Sequence, residues 1–235
     1  GPTPNDSIDA DEGANGKQNF PRITWIGRDG GSTKVKGYLQ SKPATTFRLE
    51  FYTNDEADST GYGEGQTFQK TIDVTTNDSG KVPFEVIIDG TIARVVATAT
   101  DPQYGTSEFS KAPFVVNSVS NNSDAKPFDG LASTSGPQVN GVPEVTLRSA
   151  IQASKDVIGE DDIAFDIPGS PPHFINPPNS LPVVQSDITI DGSTQPGYDP
   201  TSVQAIRLLG GSAGANVDGL NLTGDRSTIR ALYIS

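Results

Sequence analysis

The residue types able to do chemistry here are few and mostly acidic. Within the first twenty residues Asp6, Asp9, Asp11 and Glu12 fall at close spacing, with Asn15 and Asn19 following. Ca²⁺ takes about six to eight oxygen ligands, and short-spaced carboxylates on one segment can wrap such an ion. The pattern is not an EF-hand, because Asp9-x-Asp11-x-Gly13 lacks the third ligand and the distal glutamate. The segment therefore reads as a Ca²⁺-binding loop or as a solvated acidic linker.

A second set lies in the last third of the chain. Asp187, Asp191, Asp218 and Asp225 are carboxylates, and Arg207 and Arg230 are nearby cations. Carboxylate pairs cleave glycosidic bonds, and carboxylates with a basic residue on one face serve lyase chemistry. Against this, Asp191-Gly192 and Asp218-Gly219 are turn dipeptides, in which aspartate accepts local backbone hydrogen bonds. The single histidine, His173, follows two prolines and reads as a turn or strand-surface residue. Cysteine is absent, so disulfides, thiolate nucleophiles and thiolate metal sites are excluded. One imidazole rules out a multi-histidine zinc site and argues against a Ser-His-Asp triad. The run GYGEG (61–65) lacks the P-loop lysine and reads as turn glycine. Trp25 and the tyrosines suit either a core or a sugar-binding surface. Asn5, Asn77, Asn121 and Asn221 open N-x-S/T sequons. No catalytic residue set stands out, and the chain is read as a non-enzyme.

Net charge −12 disfavours nucleic acid and anionic membrane surfaces, while it suits cations. No stretch approaches the roughly 20 apolar residues that cross a bilayer, so membrane insertion is not expected. With 25 Gly and 18 Pro, the chain should be rich in turns and poor in long helices.

The elements that must position these groups are short strands. From 22 to 117 the segments 22–26, 34–40, 46–54, 67–76, 82–89, 92–100 and 106–117 are β-branched and aromatic, separated by turn residues. Phe47, Leu49 and Phe51 alternate with Arg48 and Glu50, and Phe84, Val86 and Ile88 repeat the pattern. Seven such strands predict an antiparallel sandwich over 21–117, after an acidic lead-in at 1–20. A polar connector follows at 118–143. Residues 146–157 then change period, with Leu147, Ala150, Ile151 and Ser154 on one helical face and Thr146 or Glu144 at its N-terminal turn. Beyond this helix, 163–169, 173–178, 186–192, 205–211, 219–224 and 227–235 are short strands at irregular spacing. They suit coils of a solenoid that bury their inner faces by stacking, or a second sandwich.

TLRSAIQ (146–152), IAFDIPG (163–169), ITIDGSTQPGY (188–198) and GLNLTGDRSTIRALYIS (219–235) carry a resemblance. They resemble the N-terminal cap and first coils of bacterial secreted right-handed parallel β-helix proteins whose entry segment has a CSLREA-like motif. Lead-in segments 114–125 and 142–152 match the approach to that cap, and Ala132 and Val145 stand where family members often carry cysteines. Segments 46–54, 61–68 and 97–110 resemble the immunoglobulin-like repeats found beside such helices in large surface proteins, and 5–21 resembles the acidic lead-in to those repeats. The resemblance implies an all-β chain: an immunoglobulin-like β-sandwich, then a capped β-helix start over 144–235 with one short capping α-helix.

It also implies a structural or adhesive module of a secreted or cell-surface assembly, with other copies of itself or neighbouring domains as partners. The rival reading is a carbohydrate-binding or polysaccharide-processing β-helix protein whose active coils lie beyond the chain. Because 231–235 has no polar capping segment after it, its final coil is expected to be covered, either by more chain or by another copy adding head-to-tail into a filament.

Overall fold

A computed structural model describes residues 2–10, 13–54, 58–185, 187–202 and 204–235. The chain is all-β with one α-helix among the described residues, and it divides into two compact units, Gly1–Ala112 and Pro113–Ser235.

In the first unit all strand pairings are antiparallel. Strands β1 (Arg22–Asp29), β2 (Ser32–Gln40) and β5 (Lys81–Asp89) form one sheet in the order β1-β2-β5. Strands β3 (Thr46–Thr53), β4 (Thr67–Thr75), β6 (Val95–Asp101) and β7 (Gly105–Thr106) form the other, in the order β4-β3-β6-β7. The expected alternation holds: Phe47, Leu49 and Phe51 are fully buried, as are Phe84, Val86 and Ile88 to within a few per cent. Phe51 of one sheet meets Phe84 of the other edge-to-face at 5.5 Å, so the inner faces share this core.

The expected strand over 106–117 does not form as one element. After β7 its hydrogen bonds are taken over by serines. Ser107 and Ser110 donate their backbone N–H groups to the carbonyls of Ala99 and Ala97, and their hydroxyls accept from the N–H groups of the same two residues. Each serine so satisfies both backbone groups of its partner without a regular ladder. Pro113 has no N–H to continue one, and strand β8 (Phe114–Val116) belongs to the second unit.

The second unit is parallel. Strands β9 (Asp161–Phe165), β11 (Ile188–Asp191) and β13 (Thr228–Arg230) stack on β8 in the order β13-β11-β9-β8. Strands β10 (His173–Ile175), β12 (Ile206–Leu208) and β14 (Leu232–Ile234) stack as β10-β12-β14. The chain alternates between the two sheets and comes back into register each time. In the first of these sheets Asp161 pairs with Ile188, and Thr189 with Thr228. In the other, His173 pairs with Ile206, and Ile206 with Leu232. The stretches of chain between partners are unequal, so the coils differ in length while their strands stay matched. A further parallel bridge joins Val184 to Leu222. Phe114, Ile163, Ile190 and Ile229 occupy matched inner positions on successive strands.

The expected strand over 227–235 is two strands in different sheets. Ala231 separates them at φ 56°, a left-handed conformation that turns the chain sharply. Gly192 lies against this corner: a Cβ there would come within 2.2 Å of the Ala231 carbonyl oxygen, so only glycine fits.

Helix α1 spans Leu147–Ala153, shorter than the 146–157 expected. Thr146 is its N-cap, accepting from the Ser149 N–H, while the Ser149 hydroxyl accepts from the Thr146 N–H. The expected face is buried: Leu147 is 1% exposed, and Ala150, Ile151 and Ser154 are fully covered. After Ala153 the chain turns, yet Val157 still packs into the same core. Polar residues 118–143 fold back on this unit through bridges Asp124–Thr134 and Ser133–Val145.

Leu147→Asp tests the role of this helix. Truncating a buried leucine costs about 2–5 kcal/mol, and a buried carboxylate adds to that. Amide hydrogen exchange across Pro113–Ser235 should accelerate strongly; unchanged protection would show that the helix does not support the coil core.

Candidate functional site

The acidic lead-in is organised by hydrogen bonds. Asp6 accepts from the backbone N–H groups of Asp9 and Ala10 through its two carboxylate oxygens. Asp9 accepts from the Asn19 N–H at 3.0 Å and from the Ser41 hydroxyl at 2.7 Å. Asn19 returns its amide to the carbonyls of Asp6 and Gln40, both at 2.8 Å. Asn5 and Phe20 exchange a further pair of bonds. Asp9 sits at φ 56° and is 3% exposed. Burial pushes its carboxyl above the usual range, with the Asp6 charge adding; the Ser41 and Asn19 hydrogen bonds and the Lys42 charge oppose the shift. The Asp6 carboxylate thus caps the local turn at Asp9 and Ala10, while the Asp9 carboxylate bonds Asn19 and Ser41, distant in the chain. Asp11 and Glu12 lie outside the described residues. Among the described residues, no three His, Asp or Glu side chains converge as a metal site.

The carboxylates of the coils are likewise engaged. Arg230 donates to Asp191 at 2.7 Å and Arg226 donates to Asp187, so each pair joins adjacent coils. Asp191 also accepts from the N–H and hydroxyl of Ser193, the turn role its Asp-Gly sequence suggests. Asp218 and Asp225 are exposed. The carboxylate-plus-arginine set considered for lyase chemistry is thus divided into two inter-coil ion pairs and two surface residues. The loop glycines Gly61 and Gly65 of GYGEG adopt positive φ.

His173 corrects the sequence reading: it is a strand residue, but it points inward and is 7% exposed. Gln195 explains its state. The Gln195 amide accepts from the Ile167 N–H at 2.9 Å and donates to the Ile167 carbonyl at 2.8 Å, which fixes which end carries oxygen. Its remaining N–H faces His173 Nε2 at 3.1 Å, so that nitrogen must accept and the imidazole is neutral with its proton on Nδ1. Burial lowers the His173 pKa below its ordinary value.

Sequence reasoning missed two further groups. Glu144 is 3% exposed and accepts from the hydroxyls of Ser118, Ser120 and Thr134 and from the Asn122 amide. Burial alone would raise its pKa, but these four donors outweigh it and hold the carboxyl below its ordinary range. All four stand well upstream of Glu144 in the chain, so no local motif betrays them. The second group is Phe174, Arg207 and Tyr233, which occupy one register position on β10, β12 and β14. The Arg207 guanidinium stacks between the rings, 4.3 Å from Tyr233 and 5.6 Å from Phe174.

His173 generates a pH dependence whose sign follows from its lowered pKa. The unfolded imidazole titrates near about 6.5, so below that pH the unfolded chain takes up a proton that the folded chain refuses. Stability of Pro113–Ser235 is therefore full above about pH 6.5 and declines as pH falls towards 5, before most carboxylates titrate. His173→Gln should flatten this slope in hydrogen-exchange measurements across that window; an unchanged slope would show that His173 is not its source.

No family model matches this chain, and no curated protein matches it.

Proposed function

We propose that the chain is a structural or adhesive module of an extracellular or cell-surface assembly, built as an immunoglobulin-like β-sandwich followed by the capped start of a right-handed parallel β-helix. Two antiparallel sheets sharing the Phe51–Phe84 contact support the first element. Parallel strands that return to register on every coil support the second, as does a capped amphipathic helix packed into the coil core.

The observation that carries the functional reading is the employment of the polar groups. Asp6, Asp9, Glu144, His173, Asp187 and Asp191 each spend their hydrogen bonds on framework partners: backbone N–H groups, side-chain amides, arginines and the hydroxyls of Ser41, Ser118, Ser120, Thr134 and Ser193. A β-helix enzyme needs a carboxylate and a base free on one face; here two of the coil arginines hold neighbouring coils together. With no cysteine in the chain, these hydrogen bonds and ion pairs do the stapling that disulfides often do in a small extracellular module.

Two experiments test the reading. Incubation with a panel of neutral and acidic polysaccharides should give no change in chain length or reducing ends, while the chain displayed on a cell should raise adhesion to a matrix of the same glycans. Turnover of any of them would replace the structural reading with the enzymatic one. Ca²⁺ is a separable part of the proposal, through Asp6 and Asp9 with Asp11 and Glu12. Calorimetric titration should show saturable binding that Asp6→Asn with Asp11→Asn removes; identical heats from both proteins would take the ion out, leaving the hydrogen bonds as what orders the lead-in.

A further inference from the structure

Residues 161–235 contain eight aspartates, three arginines and no lysine. Two of the arginines, Arg226 and Arg230, pair with aspartates of the preceding coil. Arg207 pairs with no carboxylate among the described residues. Its Nε is shielded and makes no hydrogen bond, and its contacts are the rings of Phe174 and Tyr233. In a segment where aspartates so outnumber arginines, an arginine left without a carboxylate is an unused anion donor, and its planar fork is pre-oriented by the stacking.

Arg207 is half-buried between the rings, which are themselves exposed. Phe174 is 47% exposed and Tyr233 is 42% exposed, although the inward residues beside Phe174, His173 and Ile175, are buried. The three side chains share the outer face of the β10-β12-β14 sheet. At about 4.8 Å per rung, Phe174 and Tyr233 stand about 10 Å apart along the stack, with the guanidinium midway. Two flat apolar surfaces with a bidentate cation between them match a chain of rings that presents C–H faces at intervals and a carboxylate in the middle.

We propose that this ladder binds a short carboxylate-bearing glycan, with a uronic-acid carboxylate on Arg207 and the adjoining sugar faces on Phe174 and Tyr233. The proposal names the ligand of the adhesive reading and rests on it. The net charge of −12 repels any polyanion at long range, so the contact must come from local stacking and one bidentate pair. A neutral glycan would satisfy the rings but leave the guanidinium without a partner.

Titration of the whole chain with a galacturonic acid tetramer, followed by calorimetry and by the Arg207 Nε–H resonance, tests this. Expected are saturable binding, a shift of that resonance, and affinity at least tenfold weaker for the methyl-esterified tetramer, which keeps the sugar faces and loses the charge. Arg207→Gln and Tyr233→Ala should each weaken binding at least tenfold, and Arg207→Lys should restore it only in part, since an ammonium lacks the planar fork. If a variant unfolds Pro113–Ser235, the ester comparison and the resonance on the native protein decide. Equal affinity for acid and ester, no binding of the tetramer, or binding that leaves the Arg207 resonance unmoved would overturn the proposal and make the ladder a coil-stacking device only. Glycan adhesion that persists after such a failure would keep the adhesive reading and locate its contact elsewhere; loss of both would end the two together.

Discussion

The Gln195 amide bonds both the N–H and the carbonyl of Ile167 on the preceding coil. Beside it the Thr194 hydroxyl accepts from the Phe165 N–H and donates to the Asp191 carbonyl. Parallel coils face a problem that hairpins do not. Their strands are joined by long excursions, so nothing local fixes the register, and a slip of one residue would exchange inner for outer side chains. Here the corners carry that information. With Gln195 on Ile167, the inner row Phe114, Ile163, Ile190, Ile229 is stacked apolar on apolar, His173 is held neutral inside, and Phe174, Arg207 and Tyr233 are brought to one outward line. Each of these features fails if the corner lets the coil slip.

The first unit meets a similar need with the same chemistry. Its acidic lead-in has few apolar side chains, so burial alone cannot hold it. Asp6 and Asp9 instead supply acceptors to backbone donors, and Asn19 bridges the lead-in to the end of β2. Ser107 and Ser110 complete the edge of β6 with hydroxyls where a strand would have used backbone. Glu144 does this for the polar connector of the second unit, gathering four donors from Ser118, Ser120, Asn122 and Thr134. A carboxylate at so buried a position is tolerable because its hydrogen bonds are charge-assisted and complete.

Alternation in β3 and β5 and the helical period of α1 are legible in the sequence because both depend on side chains two to four residues apart. Strand ends are less so. The run 227–235 looks like one strand, since Thr, Ile, Leu and Tyr all favour sheet; the corner at Ala231 comes from packing against Gly192 on the preceding coil. The run 106–117 looks continuous because serine can lie in a strand, and nothing in the local pattern says that its hydroxyl will replace the ladder. His173 misleads for a related reason. Two preceding prolines suggest a surface turn, while the donor that permits its burial as a neutral ring is supplied by Gln195, outside any local window. Asp6 and Asp9 are legible as a cluster, but their hydrogen bonds are not, because the partners of Asp9 lie 10 and 32 residues away.

The irregular returns also bear on what the outer surface can display. In a solenoid of fixed period, outward residues recur at a fixed interval and a ladder can be read directly. Here Phe174, Arg207 and Tyr233 recur at unequal intervals along the chain, and neither interval matches that of the inter-coil ion pairs on the other sheet. Length is added and removed in the loops between the sheets, so each loop varies without disturbing the matched strands on either side. Arg226 and Arg230 are committed to the framework by their coil partners. Arg207 has two aromatic neighbours and no counter-charge among the described residues, and it lies on a sheet whose inner side is already closed by Ile206 and Leu208. Its stacking alone is worth about 0.5–1 kcal/mol per ring at exposed sites, a small return for an arginine whose Nε is shielded without a hydrogen bond.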